Sequence, residues 1–246
     1  MQRKIMGLFA ALVAFGVFAL VPAISSAHGL TDTSGGVTTK LAVGSKIVAY
    51  NEAGTETEFT GSGLTAKCSE VTMTGSVHAN PHTVAGAVLG NITSVKFRGT
   101  TKDETPVEPN TQCTSNLGVT TVTIPALEGG GGSWCVKSTP ETDNFAVEPH
   151  ACTGVGGEFT FILHTVGLEC KYKRTANITG TFTTTAATHT AATLTMTNGQ
   201  AFSLEAGGFL CPVEGKLNNF KFELFTDTVG SSWRNATDVA DPVWIA

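Results

Sequence analysis

The sequence predicts an all-β fold, a disulfide-stabilised antiparallel β-sandwich or barrel-like sheet. Period-two alternation of apolar and polar residues recurs along the 246-residue chain, and no helical period is sustained after the first thirty positions. Turn residues interrupt these runs at short intervals. Six cysteines, an even number, all lie beyond an apolar N-terminal segment.

The alternation defines the strands. Phe220, Phe222 and Leu224 share a face opposite Lys221 and Glu223, and Phe159, Phe161 and Leu163 repeat the pattern. Ile178 and Phe182 alternate with Thr179, Thr181 and Thr183. Leu194 and Met196 stand against Thr193, Thr195 and Thr197, and Val71, Met73 and Val77 against Thr72, Thr74 and Ser76. Further strands are expected over Lys46–Tyr50, Thr55–Thr60, Val84–Leu89, Thr93–Phe97, Val119–Ile124 and Ala201–Leu204. One apolar and one polar face per strand marks antiparallel sheets packed on a single side. The chain holds 39 threonines. β-branching suits a pleated strand and the hydroxyl keeps an outer face wet, so their number follows from the fold. An ice-binding or fibre-forming ladder would need a fixed short repeat, and the sequence has none.

Turns are expected at Asn51–Gly54, Gly61–Gly63, Asn80-Pro81, Gly154–Gly157, Asn198-Gly199 and Gly207-Gly208. Asn198-Gly199 reads as a hairpin, because a type I′ turn needs positive φ at both central residues. Gly99–Thr111 and Glu128–Ser133 read as longer loops. The glycines Gly129–Gly132 lack the Lys-Ser/Thr and the helix that a phosphate cradle requires. More than ten short strands then favour two packed sheets, in one domain over residues 28–246.

Residues 1–27 read as a cleaved signal peptide. Arg3 and Lys4 precede an apolar run from Ile5 to Val21, Pro22 ends it, and Ser25-Ser26-Ala27 supplies small residues for the cut. The run is at the short limit for a membrane anchor. The segment contains two of the 15 basic residues and none of the 20 acidic ones, which leaves the remainder at about −7. That balance opposes nucleic-acid binding, which needs a basic face, and adhesion to anionic lipid; no membrane association is expected after cleavage.

In an exported chain, Cys68, Cys113, Cys135, Cys152, Cys170 and Cys211 read as three disulfides. Fifteen pairings are possible. Nearest-neighbour order is expected: Cys68 with Cys113, Cys135 with Cys152, and Cys170 with Cys211. Trp134, beside Cys135, is expected in the core against a disulfide.

The runs Cys68–Gly75, Cys113–Gly118, Trp134-Cys135, Cys170-Lys171-Tyr172 and Gly207–Pro212 resemble those of uncharacterised threonine-rich secreted β-proteins of soil bacteria. The resemblance covers most of the chain after residue 27. It implies export from a bacterial cell and brings no activity with it. Sequons at Asn91, Asn177 and Asn235 carry no meaning in such a host.

Few residues suggest chemistry. Cleavage after Ala27 would leave His28 at the N-terminus, where its amine and imidazole could hold copper(II) with a third nitrogen from His78, His82, His150, His164 or His189. The His28-Gly29 start is similar to that of copper-dependent polysaccharide monooxygenases. His78 and His82 have helical zinc spacing, but Asn80-Pro81 between them predicts a turn. A glycosidase pair would come from Glu158, Glu169, Glu205, Glu214 and Glu223, which fall on different strands. No nucleophile elbow occurs. The expected function is therefore a secreted, non-catalytic module that binds an extracellular ligand, protein or glycan, through an exposed aromatic or apolar patch in which Trp233 and Trp244 are candidates. The alternative is a polysaccharide-active enzyme using copper at His28 or a carboxylate pair.

Overall fold

The computed structural model describes residues 29–34, 37–52, 54–81, 86–98, 113–128, 132–139, 142–183, 190–226 and 241–245. Within them are nineteen strands and no α-helix. Residues 1–27, read above as a signal peptide, and Gly99–Thr111, read as a loop, lie outside the described residues, as do Val84, Ala85, Gly129–Gly131, His28, His82, His189, Trp233 and Asn235.

Sixteen of the strands form eight consecutive passes of chain, each divided in two. In order these are β3 (Lys46–Asn51) with β4 (Thr57–Gly61), β5 (Leu64–Cys68) with β6 (Glu70–Ala79), and β7 (Leu89–Arg98) with β8 (Cys113–Ser115). Then come β9 (Gly118–Thr123) with β10 (Trp134–Ser138), β11 (Asn144–Glu148) with β12 (Phe159–Thr165), and β13 (Leu168–Arg174) with β14 (Ile178–Thr183). Last are β15 (Thr193–Met196) with β16 (Gln200–Gly207), and β17 (Glu214–Asn218) with β18 (Lys221–Thr226).

Each pass pairs antiparallel with the next, and the eighth returns to the first. One half of every pass builds a closed barrel ordered β10-β11-β14-β15-β18-β3-β6-β7, here the upper barrel. The other half builds a second closed barrel ordered β12-β13-β16-β17-β4-β5-β8-β9, the lower one. Closure is made by β18 against β3, with Leu224 opposite Ala49, and by β17 against β4, with Leu217 opposite Phe59. The protein is therefore an up-and-down arrangement of eight passes, broken at a waist into two stacked barrels that share one core.

Of the two forms expected from sequence, the barrel is the one present. Closure removes the exposed edges that a sandwich would have to protect. A cap of three strands, β1 (Leu30–Ser34), β2 (Val37–Lys40) and β19 (Val243–Ile245), covers the far end of the upper barrel. Asn80 fastens it. The Asn80 amide nitrogen donates to the Leu30 and Leu41 carbonyls, each at 2.9 Å, and its oxygen accepts from the Leu30 N–H at 2.9 Å.

The waist explains one departure from expectation. Asn198-Gly199 is not a hairpin, because β15 and β16 belong to different barrels and do not pair. Among the described residues only Asn219 combines positive φ with a side chain, so the type I′ geometry is absent at Asn198. The Asn198 side chain instead accepts from the Asn219 N–H at 2.8 Å, and Asn218 accepts from the Gly199 N–H at 3.0 Å, tying two neighbouring crossovers together. Asn51 does the same for two others: it donates to the Thr55 and Ser69 carbonyls at 2.8 Å each and accepts from Val71 N–H at 2.9 Å. Arg174 donates to the Ala176, Ala201 and Asn177 carbonyls at 2.8, 2.8 and 2.9 Å.

The strand expected over Val84–Leu89 also differs. Residues 86–88 are irregular and β7 begins at Leu89. Ser138 Oγ takes the Val88 N–H at 2.9 Å in place of a ladder partner.

The disulfides are Cys68–Cys113, Cys135–Cys152 and Cys170–Cys211, closing sequence separations of 45, 17 and 41 residues. Among the described residues no cysteine is free. Three such bonds fit an oxidising environment. Trp134 is in the core, but its ring partner is Phe159, edge-on at 4.9 Å. Alternation puts Cys135 on the other face of β10.

Asn51→Ala would leave one buried N–H and two carbonyls near the waist without their side-chain partner. The expected loss is about 2–4 kcal/mol of unfolding free energy by urea titration, with Asn51→Asp losing at least as much near pH 7, because its buried carboxylate would face the Thr55 and Ser69 carbonyl oxygens. A loss below about 0.5 kcal/mol would mean that backbone pairing alone holds the crossover.

Candidate functional site

An eight-stranded barrel has an interior just wide enough to be filled by side chains or to hold one small ligand. The two barrels take these two options.

The lower lumen is filled by rings. Phe59 packs on Phe161 and Tyr172 with centroids 4.9 and 4.8 Å apart, and Phe161 packs on Tyr172 at 5.3 Å and on Phe202 at 4.8 Å. Gly215 makes this possible, since a Cβ there would lie 1.7 Å from the Phe59 ring. The Tyr172 hydroxyl is buried without a hydrogen-bond partner. Burial pushes its pKa up from 10.0 to about 12.

The upper lumen is not filled. It holds a cavity of about 110 Å³ to which all eight strands of the barrel contribute. Small inward residues leave the space: Ala49 on β3, Gly90 on β7 and Ser138 on β10. Ile47, Ile92, Val136, Phe145, Phe182, Leu194 and Leu224 supply apolar walls, and Leu30 of the cap lines it as well. No charged side chain lines it. A second cavity of about 60 Å³ runs from the waist into the lower lumen, lined by Phe59, Phe161, Phe202 and Leu217 of the lower barrel and by Phe97 and Trp134 of the upper one. Met73 lines both cavities.

Among the described residues, Asp32 of the cap is buried, while the ion pairs of the barrels lie on the outer surface. Lys67 lies 3.5 Å from Glu56 and 3.7 Å from Glu58, and Glu205 lies 3.0 Å from Lys171 and 3.9 Å from Lys173. Charged residues outside and rings inside are the reverse of the pattern of a lipid-facing barrel. Among the described residues no helix is long and apolar enough to cross a membrane.

Comparison with known proteins finds no matching family model, no matching curated sequence and no matching solved structure.

Among the described residues, the histidines and carboxylates considered from sequence meet at most in pairs. His78 belongs to β6, not to a turn, and its Nδ1 lies 3.5 Å from the Asn91 amide nitrogen. His150 Nε2 is 3.5 Å from Glu148, and His164 Nδ1 is 3.4 Å from Glu169. Glu214 faces Lys216 at 3.6 Å. Among the described residues no three His, Cys, Asp or Glu side chains gather as a metal would require.

Exposed apolar side chains occur on the turns at the far end of the lower barrel. Phe209 is 96% exposed there, with Leu210, Val213, Leu117 and Val166 also exposed on the turns of that end. Sequence reasoning missed Ala49, Gly90 and Ser138. Their signal was small size at inward positions, which has meaning only once the barrel is known to close.

Two outcomes test this description. The unfolded chain ionises Tyr172 near pH 10 and the folded chain only near 12, so stability should fall as pH rises between those values. In Tyr172→Phe that fall should shrink, and the melting temperature at pH 7 should be equal or higher, because an unpaired buried hydroxyl is removed. Asn80→Ala should release the cap first. Hydrogen exchange at Leu30 and Leu41 should then quicken well before exchange in the barrel strands.

Proposed function

We propose that this chain is an exported binding protein that holds a small uncharged apolar molecule in the lumen of its upper barrel. One observation carries the reading: two barrels of the same topology share one core, and the ring-packed lower one keeps about 60 Å³ toward the waist while the upper one keeps an apolar cavity of about 110 Å³. An apolar cavity of comparable size, about 150 Å³, stays dry and takes benzene or xenon. This lumen suits a hydrocarbon of roughly four to six carbons. The capping strands and Asn80 control entry, so exchange should follow cap opening. Export is supported by the three disulfides and by the signal-like N-terminus.

Calorimetric titration with n-hexane and benzene tests the reading. Binding to the wild-type chain is expected, with a rise in melting temperature that grows with ligand concentration. Gly90→Leu is the control. A Cβ at Gly90 meets nothing closer than 3.6 Å, so the larger side chain can enter the lumen. It should abolish binding while leaving the melting temperature unchanged or higher. Hydrocarbon binding that persists in Gly90→Leu, or is absent from the wild type, would overturn the proposal.

A further inference from the structure

We propose that the far end of the lower barrel docks on a neutral lipid–water interface, with Phe209, Leu210, Val213, Leu117 and Val166 seated at the level of the headgroups. The proposal concerns the end opposite the cap and is independent of ligand binding in the upper lumen.

The topology gathers these residues. The hairpins β4–β5, β8–β9, β12–β13 and β16–β17 all turn at this end, and the last three are consecutive around the barrel. Those three carry the apolar side chains, and Phe209, Val213 and Val166 are 96, 81 and 80% exposed. Neighbouring hairpins touch here: a Cβ at Gly118 would lie 3.6 Å from the Val166 side chain, and one at Gly208 would lie 3.3 Å from Leu168. The turn with the largest exposed ring is also fixed in place. The Cys211 N–H donates to the Gly208 carbonyl at 2.9 Å across Phe209 and Leu210, and the Cys170–Cys211 disulfide ties the turn to β13. A turn ordered in advance loses little freedom when it inserts.

Two properties favour lipid over a protein partner. First, polar side chains of this end are turned back onto its own backbone. Asn116 accepts from the Thr65 N–H and donates to the Gly63 carbonyl, each at 2.9 Å. Ser115 Oγ accepts from the Leu117 N–H at 3.1 Å and donates to the Gly118 carbonyl at 3.0 Å, and Thr165 Oγ1 donates to the Val119 carbonyl at 3.2 Å. Contact with lipid requires such internal pairing, whereas a protein interface forms about one hydrogen bond per 100–200 Å². Second, residues 61–64, 115–119, 165–168 and 206–213 include no charged side chain. The carboxylates next to them in the chain, Glu169, Glu205 and Glu214, lie 3.4, 3.0 and 3.6 Å from His164, Lys171 and Lys216. Without lysine or arginine on the turns, nothing draws this end to anionic lipid, and a neutral surface is the one that fits.

The test is flotation of chain 28–246 with vesicles of phosphatidylcholine, alone or mixed with phosphatidylglycerol. The described structure begins at Gly29, so this chain keeps all of it and lacks the apolar run 5–21. Binding to both vesicles is expected, equal within about twofold and insensitive to added salt. Phe209→Ser should weaken binding about tenfold and Val166→Ser about threefold, with melting temperatures unchanged because both positions are exposed. Val166→Ser carries the comparison if Phe209→Ser does not fold. Val155→Ser is the control, at a valine 95% exposed in the link between β11 and β12, and should change nothing. Absence of wild-type flotation, equal binding by wild type and tip variants, an equal loss in Val155→Ser, or binding that needs phosphatidylglycerol and disappears in salt would each overturn the proposal. So would a wild-type dimer that Phe209→Ser makes monomeric and that does not float, which would assign this face to a second copy. None of these outcomes bears on hydrocarbon binding in the upper lumen, which Gly90→Leu decides.

Discussion

Everything in this molecule depends on how eight hydrogen-bonded ladders are interrupted at the same level and still satisfied. A strand that leaves one barrel for the next must give up its partners, and an unpaired backbone group away from water costs as much as a lost hydrogen bond. Crossovers as short as the single residue Ser69 between β5 and β6 allow little backbone rearrangement. The chain supplies side-chain amides and one guanidinium there instead: Asn51, Asn198, Asn218 and Arg174 between them engage backbone groups on five of the eight passes or their links. Asparagine suits the task because one short side chain both donates and accepts. With the waist satisfied this way, each barrel can close with its own lumen, and the two lumens can be filled differently.

That difference has a measurable energetic scale. At about 24 cal/mol per Å³, a void of 110 Å³ costs on the order of 2–3 kcal/mol. One disulfide contributes a similar amount under the chain-entropy model. Simple substitutions would remove the void, since Gly90 has room for a side chain. A barrel that keeps an avoidable cavity beside a lower lumen packed around Phe59, Phe161, Tyr172 and Phe202 resembles a site more than a packing defect.

Local features were legible in the sequence and closure was not. Phe159, Phe161 and Leu163, or Ile178 and Phe182, reveal a buried face because alternation is a local pattern. Strand β3 shows the limit, since Val48, Ala49 and Tyr50 are all buried and alternation there carries no face. The three disulfides join cysteines adjacent in order, as an up-and-down chain makes natural, because consecutive passes are neighbours in space. What sequence could not show is that β18 returns to β3, since that pairing joins the two ends of the barrel and no local turn encodes it. Without it Asn198-Gly199 reads as a hairpin, and Ala49, Gly90 and Ser138 are merely small residues.

Closure also governs what chemistry the fold can hold. In a packed barrel, alternation sends every second residue outward, and here the charged side chains go that way, as the Lys67–Glu56 and Lys171–Glu205 pairs show. Acid–base catalysis needs titratable groups that converge on one substrate, with environments that drive their pKa values apart. His78, His150 and His164 lie on β6, in the link after β11 and on β12, each beside a partner of its own. The inner space has mainly apolar walls, with Ser138 and Asn91 among the few polar residues and no charged one in the lining. Such a surface can exclude water and enclose an apolar group, which is what the proposed binding role asks of it.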